Sequence, residues 1–170
     1  MLEVRSARPD DLPVLTIAWH EAGLWRPEEL HSRPSVEEAL GRTDLARYRW
    51  DPTREGDVAV VAVVDGEGIG GAWARLFPND DPGYGFVDDA TPELGIGVVG
   101  AWRGRGVGRA LLSALLVDLG RAGHRQVSLS VEVDNPSRLL YRQLGFLQVG
   151  QEDDGSAVTM LRGTGARTVR

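Results

Sequence analysis

Two glycine patterns lie almost end to end in the stretch GIGVVGAWRGRGVGR, residues 95–109, and each has the spacing of a phosphate cradle. Gly95, Gly97 and Gly100 form G-x-G-x-x-G; Arg103, Gly106 and Gly108 form R-x-x-G-x-G. A dinucleotide fingerprint needs a strand before its first glycine and a helix opening at its last. The first pattern fails both requirements. It lies inside a predicted strand, Glu93–Val99, and several residues separate it from the next helix. A Rossmann oxidoreductase would rest on that pattern alone. Its glycines are better read as structural, marking a bulge or a close backbone approach. The second pattern follows that strand directly and opens a predicted helix, Val107–Leu119. Free N–H groups at a helix start point outward, and the helix dipole favours an anion there. Gly104, Gly106 and Gly108 remove side chains that would hold a phosphate off, while Arg103, Arg105 and Arg109 surround the turn with positive charge. No G-K-[ST] follows, so the turn is not a Walker loop.

The elements that must position this turn follow from hydrophobic periodicity. Leu2–Arg5 alternates as a first strand, and Pro9-Asp10-Asp11 starts a helix that runs to about Ala22. Ser35-Val36-Glu37-Glu38 has the form of a capping box and starts a second helix. Val58–Val64 is a buried strand, turned at Asp65-Gly66-Glu67-Gly68 into Ile69–Phe77. A long acidic loop, Pro78–Pro92, leads to Glu93–Val99. The helix from Val107 carries Leu111 and Leu115 on one face and stops at Gly120 and Gly123. Gln126–Val133 alternates, and Asn135-Pro136 supplies an N-cap and a proline at the first helical position. That helix carries Leu139, Leu140 and Leu144 and ends at Gly145. Phe146–Val149 and Ala157–Leu161 pair across the turn Asp153-Asp154-Gly155. The order implies one α/β domain over residues 1–162, with a loose tail from residue 163.

Composition narrows the function classes. The chain has 170 residues, is 42% hydrophobic, and has no cysteine, which removes disulfides, thiolate nucleophiles and cysteine metal sites. His20, His31 and His124 are far apart in sequence, so no metal site is expected. No apolar run is long enough for a membrane span, and the N-terminus lacks a signal-peptide layout. A cytoplasmic, metal-independent protein is the expectation, without a membrane partner. The net charge of −6 argues against nucleic-acid binding. All 19 basic residues are arginine, so lysine Schiff-base chemistry is excluded in this chain.

The block ELGIGVVGAWRGRGVGRALLSALL resembles the acetyl-CoA-binding motif of the GNAT superfamily of N-acetyltransferases, [QR]-x-x-G-x-[GA] between the fourth strand and the following helix. SVEVDNPSRLLYRQLGF is similar to that family's second block, the fifth strand and the helix after it. The resemblance implies a single-domain GNAT-like α/β fold. Its sheet is mixed and mostly antiparallel, with splayed fourth and fifth strands and about four helices. It implies acetyl-CoA as co-substrate, with the pyrophosphate on Arg103, Gly104, Arg105, Gly106, Val107, Gly108 and Arg109. By the same resemblance Val98 and Val99 pair with the pantetheine arm like an added strand, and Val98 N–H donates to the thioester carbonyl as the oxyanion forms. The Gly95/Gly97 stretch would suit a bulge that opens the splay. Asn135 matches a cofactor-contacting asparagine, and Tyr141 matches the tyrosine that contacts the cofactor and protonates the leaving thiolate. A phenol suits that role because it stays protonated at neutral pH.

The implied reaction is transfer of an acetyl group to a primary amine of a small molecule or peptide, by direct attack in a ternary complex. The alternative is a non-catalytic CoA-binding or interaction domain on the same fold. Glu93, at the start of its strand, is the carboxylate the resemblance offers as base; Glu132 and Asp134 are rivals, and a free amine can also lose its proton to solvent. The first helix and its loop, residues 78–92 and the last hairpin would border the acceptor, with Trp19, Trp25 and Tyr84 as candidate lining. Asp80, Asp81, Asp88, Asp89, Asp153 and Asp154 would favour a cationic acceptor. The sequence leaves a homodimer open and does not name the acceptor.

Overall fold

The structure is a computed structural model that describes residues 1–23, 25–26 and 32–165. The expected features at His31 and beyond residue 165 lie outside the described residues. Seven strands form one sheet in the order β1-β2-β3-β4-β5-β7-β6. They are β1 (Leu2–Ser6), β2 (Val58–Val64), β3 (Glu67–Arg75), β4 (Glu93–Val98), β5 (Gln126–Glu132), β6 (Leu147–Gln151) and β7 (Ala157–Gly163). Every pairing is antiparallel except β4 with β5, which is parallel and registers only at Glu93 against Ser128. Five α-helices are described: α1 (Leu12–Ala22), α2 (Val36–Leu40), α3 (Thr43–Ala46), α4 (Val107–Arg121) and α5 (Ser137–Gln143). The helix beyond the expected four is α3, a single turn that buries no side chain and leaves no periodic signal.

Strand alternation divides the core into two layers. Val60, Ala62, Ala72, Ala74 and Leu94 face α4, whose Val107, Leu111, Leu112, Leu115, Leu116 and Leu119 are buried against them. Ala59, Val61 and Trp73 face the other way, packing with Leu15, Ala18 and Trp19 of α1, and with Ala39 and Trp50. The run VAVVAVV is therefore apolar on both faces because β2 is covered on both. The β2–β3 connection is the two-residue turn Asp65-Gly66, with positive φ at both positions, the geometry that suits a twisted hairpin.

Several boundaries move. Helix α4 continues through Gly120 to Arg121, and Gly123 takes the left-handed conformation that ends it. The tail is held further than expected: Gly163 closes β7, Thr164 N–H donates to Arg125 O, and Thr164 Oγ1 donates to His124 O. No bulge lies at Gly95 or Gly97, since β3 and β4 pair without a register shift from Gly70/Val98 to Arg75/Glu93. These glycines serve close approach instead. A Cβ on Gly95 would lie 2.6 Å from Trp73 Cζ2, and one on Gly97 would lie 1.8 Å from the Ala18 carbonyl oxygen. The backbone of α1 thus rests directly on β4.

Candidate active site

Between β4 and β5 a cleft of about 520 Å³ opens, lined by Ile96, Gly97 and Val98 of β4, by the Arg103–Arg109 turn, and by Asn135, Leu140 and Tyr141. Beyond Glu93 and Ser128 the two parallel strands share no registered pair. In an antiparallel ladder the N–H groups of successive residues point to alternate sides. Val99 N–H donates to Ile69 O at 3.0 Å, on the β3 side. The N–H groups of Val98 and Ile96 therefore face the gap. Sequence reasoning identified Val98 and missed Ile96, although the same alternation two residues back would have found it. Val99 does not share that role, because its N–H belongs to the β3 pairing.

The Arg103–Gly108 turn takes the geometry expected of an anion cradle. Gly104 and Gly106 have φ of +71° and +83°, and a Cβ at either would meet nothing within 4 Å. Gly106 caps α4, whose first-turn N–H groups have no intrahelical acceptor. Gly104, Gly106, Gly108, Arg103 and Arg109 line the cleft, whereas Val107 is buried in the core. The Arg105 guanidinium sits over the Trp102 ring at 5.1 Å, and Arg109 bonds Gln143 Oε1. Arg103 turns inward: its Nε donates to Val98 O at 2.9 Å and its Nη2 to Glu21 Oε2 at 2.9 Å.

Asn135 Oδ1 accepts from Ser137 N–H at 2.9 Å, so its capping role is present although α5 itself begins at Ser137. Tyr141 lies on α5, with its ring 5.8 Å from that of Phe146 in an edge arrangement. It is 7% exposed, lines the cleft, and no described protein group hydrogen-bonds its hydroxyl. Burial pushes its pKa up to about 12. The phenol is therefore a neutral donor across the physiological range.

Glu93 occupies a different environment from any exposed strand end. It is 6% exposed, and its Oε2 is buried without a hydrogen-bond partner. Gly83 and Gly85 cover it; a Cβ on Gly83 would lie 2.0 Å from Oε2. Burial raises the carboxyl pKa to about 7, against partial opposition from a Gly85 backbone hydrogen bond and the charge of Arg47. The same loop stacks Tyr84 on Tyr48 at 5.6 Å, and Tyr84 N–H donates to the Tyr48 hydroxyl at 2.7 Å. Burial, with the neighbouring Glu93 charge second, pushes the Tyr48 phenol well above its usual range. Glu93 does not line the cleft itself. The rival carboxylates Glu132 and Asp134 both pair with Arg26, at 2.5 Å and 3.0 Å.

The expected acceptor residues separate. Trp19 is core, its Nε1 donating to Leu45 O at 3.1 Å, and Tyr84 is 61% exposed. Trp25 does line the cleft, with Arg26 stacked over it at 4.4 Å. Three of the six acidic loop side chains hold their own loops, and a fourth pairs elsewhere. Asp88 accepts from Ala90 N–H and Thr91 Oγ1, Asp89 from Asn79 N–H, and Asp154 from Ser156 N–H; Asp81 pairs with Arg47. Glu21, which no local pattern singled out, reaches the cleft from the last turn of α1.

Comparison with known proteins agrees with this geometry. Residues 19–146 match the model of the "Acetyltransferase (GNAT) family". The chain is 32% identical over 131 residues to a mycothiol acetyltransferase of Corynebacterium aurimucosum, covering 76% of this chain and 38% of that protein. It is 44% identical over 77 residues to the N-alpha-acetyltransferase RimI of Mycobacterium tuberculosis, covering 41% of this chain and 47% of the relative. The chain thus spans less than half the length of the curated relatives it matches. Among solved structures, an acetyltransferase from Salmonella typhimurium with acetyl-CoA superposes with a TM-score of 0.70 at 22% identity, over 100% of this chain and 98% of the other. That likeness establishes a shared fold. No helix among the described residues is long and apolar enough to cross a membrane.

Proposed function

The chain belongs to the acetyltransferase (GNAT) family, and from that premise we propose that it transfers the acetyl group of acetyl-CoA to a primary amine of a small molecule or peptide. The observation that carries this reading is the continuous cleft from the Arg103–Arg109 turn, past two gap-facing N–H groups, to the Tyr141 hydroxyl. The turn supplies the anion cradle for the pyrophosphate. Val98 N–H pairs with the pantetheine arm, and Val98 or Ile96 N–H donates to the carbonyl oxygen as it gains charge. The amine nitrogen forms a bond to the carbonyl carbon and the carbon–sulfur bond breaks. Tyr141 gives its proton to the departing sulfur, which its raised pKa permits only as a donor, not as a standing anion.

Glu93 takes the proton released by the amine. It stands three positions from Ile96, about 10 Å of strand, so the proton reaches it through water. Parity on β4 supports this division. Glu93 shares the α1 face of the strand with Gly95 and Gly97, whereas Tyr141 packs in the opposite layer with α4. The base and the acid thus serve the two sides of the breaking thioester. Arg26 already occupies Glu132 and Asp134, which leaves Glu93 the better-placed base. The relatives' names bring both small-molecule and N-alpha amine acceptors into the test. A panel of small amines and short peptides, read by acetyl-CoA-dependent release of free thiol, should show turnover that Tyr141→Phe reduces. Tight CoA binding with no turnover on any amine would turn the reading to the non-catalytic alternative.

A further inference from the structure

Arg103 is not poised outward for an anion in this structure. Its Nε donates to Val98 O at 2.9 Å, and its Nη2 contacts Glu21 Oε2 at 2.9 Å and Glu21 O at 3.2 Å. Glu21 is itself held: its side chain is 12% exposed, and its Oε1 pairs with Arg33 Nη2 at 2.6 Å. Arg33 also contacts His20 Nδ1, whose opposite ring nitrogen meets Pro34 O at 2.7 Å. A bridge therefore runs from the end of α1 across the cleft to β4. It ends on the Val98 carbonyl, which an arm pairing with Val98 as an added strand would have to reach.

Resting on the acetyl-CoA reading, we infer that Glu21 is a positioning residue that latches Arg103 across the donor track, and that donor binding moves Arg103 from Val98 O and Glu21 to the pyrophosphate. Two competing acceptors for one guanidinium make the exchange reversible. In the latched form Arg103 is satisfied by a carboxylate and a carbonyl; in the bound form the phosphate oxygens replace them. A donor without a pyrophosphate must displace Arg103 with nothing to receive it. Such a donor binds only the fraction of molecules that are already open, and its apparent affinity falls by that fraction. The latch thus lowers the affinity of every donor, through a residue on α1 that acts by way of Arg103, and the released guanidinium compensates only a full coenzyme thioester, which alone brings it a pyrophosphate.

The test measures dissociation constants for acetyl-CoA and for S-acetylpantetheine, which lacks the pyrophosphate, on wild type, Arg103→Ala and Glu21→Gln. Circular dichroism and urea midpoints establish that each variant is folded. Arg103→Ala should weaken acetyl-CoA several-fold yet tighten S-acetylpantetheine. Glu21→Gln should tighten both donors, on the order of three- to ten-fold if the open form is about a tenth to a third of the population. An Arg103 that is only a phosphate ligand would leave S-acetylpantetheine affinity unchanged, and a merely structural Arg103 would weaken both donors alike; either result overturns the latch. Unchanged affinities in a folded Glu21→Gln variant also overturn it while leaving the acetyl-CoA reading intact. Failure of wild type to bind acetyl-CoA at all overturns that reading first, and the latch with it.

Discussion

Replacing Glu93 by glutamine should make the protein more stable and less active, with the gain in stability appearing only as the pH rises. Glu93 is 6% exposed, and burial raises its carboxyl pKa from 4.5 to about 7. A raised carboxyl pKa means that the folded state holds the proton more tightly than the unfolded state. Below about 4.5 both states are protonated and the group costs nothing extra. Between 4.5 and about 7 the folded state binds more protons, so stability falls as pH rises, and above about 7 the full cost is present. At 1.36 kcal/mol per pKa unit that cost is about 3 kcal/mol. A glutamine side chain in that place would keep the shape and carry no charge. Urea or thermal unfolding of both proteins should give similar stabilities near about pH 4 and diverge by up to about 3 kcal/mol near about pH 8.5. For a domain of this size the divergence is about 6 to 12 °C in Tm. Amine acetylation by wild type should rise through about pH 7 as the base ionises, and the variant should lose that limb. A Glu93→Gln stability difference that stays constant with pH would show that the carboxylate is hydrated or partnered in solution, and the argument from its orphaned oxygen would fail.

Tyr141→Phe should lower turnover by about ten-fold to ten-thousand-fold, the range for a lost general acid, with little change in the acetyl-CoA dissociation constant; steady-state kinetics beside calorimetry separates the two, and wild-type turnover would reduce Tyr141 to packing against Phe146. Gly106→Glu should weaken CoA binding sharply, because it places a side chain on a backbone with φ of +83° and a negative charge at the mouth of the cradle. Isothermal titration of the folded variant checks this, and unchanged affinity would remove the turn from the cofactor site. Asp88→Asn should cost stability of the residue 78–92 loop, by roughly 1 kcal/mol for each weakened hydrogen bond, while leaving the acceptor KM alone, since Asp88 is engaged with Ala90, Thr91 and, at 3.5 Å, Gln126. A KM that rises without loss of stability would restore that loop as an electrostatic funnel.

Features carried by neighbouring residues were legible in the chain. The Arg103–Gly108 turn could be placed because strand periodicity ends and helix periodicity begins on either side of it, and glycine takes the two left-handed positions found there without steric cost. The helix that carries Tyr141 was legible in the same way, while the cofactor roles of Asn135 and Tyr141 were implied by the family resemblance alone. What was not legible depends on elements distant in sequence. Glu93 at a strand end gave no sign of burial, which arises because Gly83 and Gly85 fold over it from the preceding loop. Trp19 carries the same residue type as Trp25 and lies six positions away, yet its face of α1 turns into the core. The loop aspartates illustrate a misweighted signal. Asp residues accept backbone N–H groups in turns, and that chemistry outranked their net charge.

Strand β4 ties these observations together through one constraint. Along a strand, the direction of the N–H group and the face of the side chain alternate in lock step. Residues that offer N–H groups to the β5 gap, Ile96 and Val98, must put their side chains toward α4. Any residue that puts a side chain toward α1 must spend its N–H on β3. A carboxylate on the α1 face therefore has to stand an odd number of residues from the oxyanion donor, as Glu93 does from both Ile96 and Val98. The intervening α1-face positions are Gly95 and Gly97, and their missing side chains have a structural consequence. With Gly97 bare, the Ala18 carbonyl can sit where a Cβ would otherwise be, so α1 lies against β4. That descent brings Glu21, three residues further along α1, to the wall of the cleft and within 2.9 Å of Arg103. The glycines that first suggested a phosphate cradle thus act one step removed from it, by setting how closely the helix carrying Glu21 approaches the residue that guards the track.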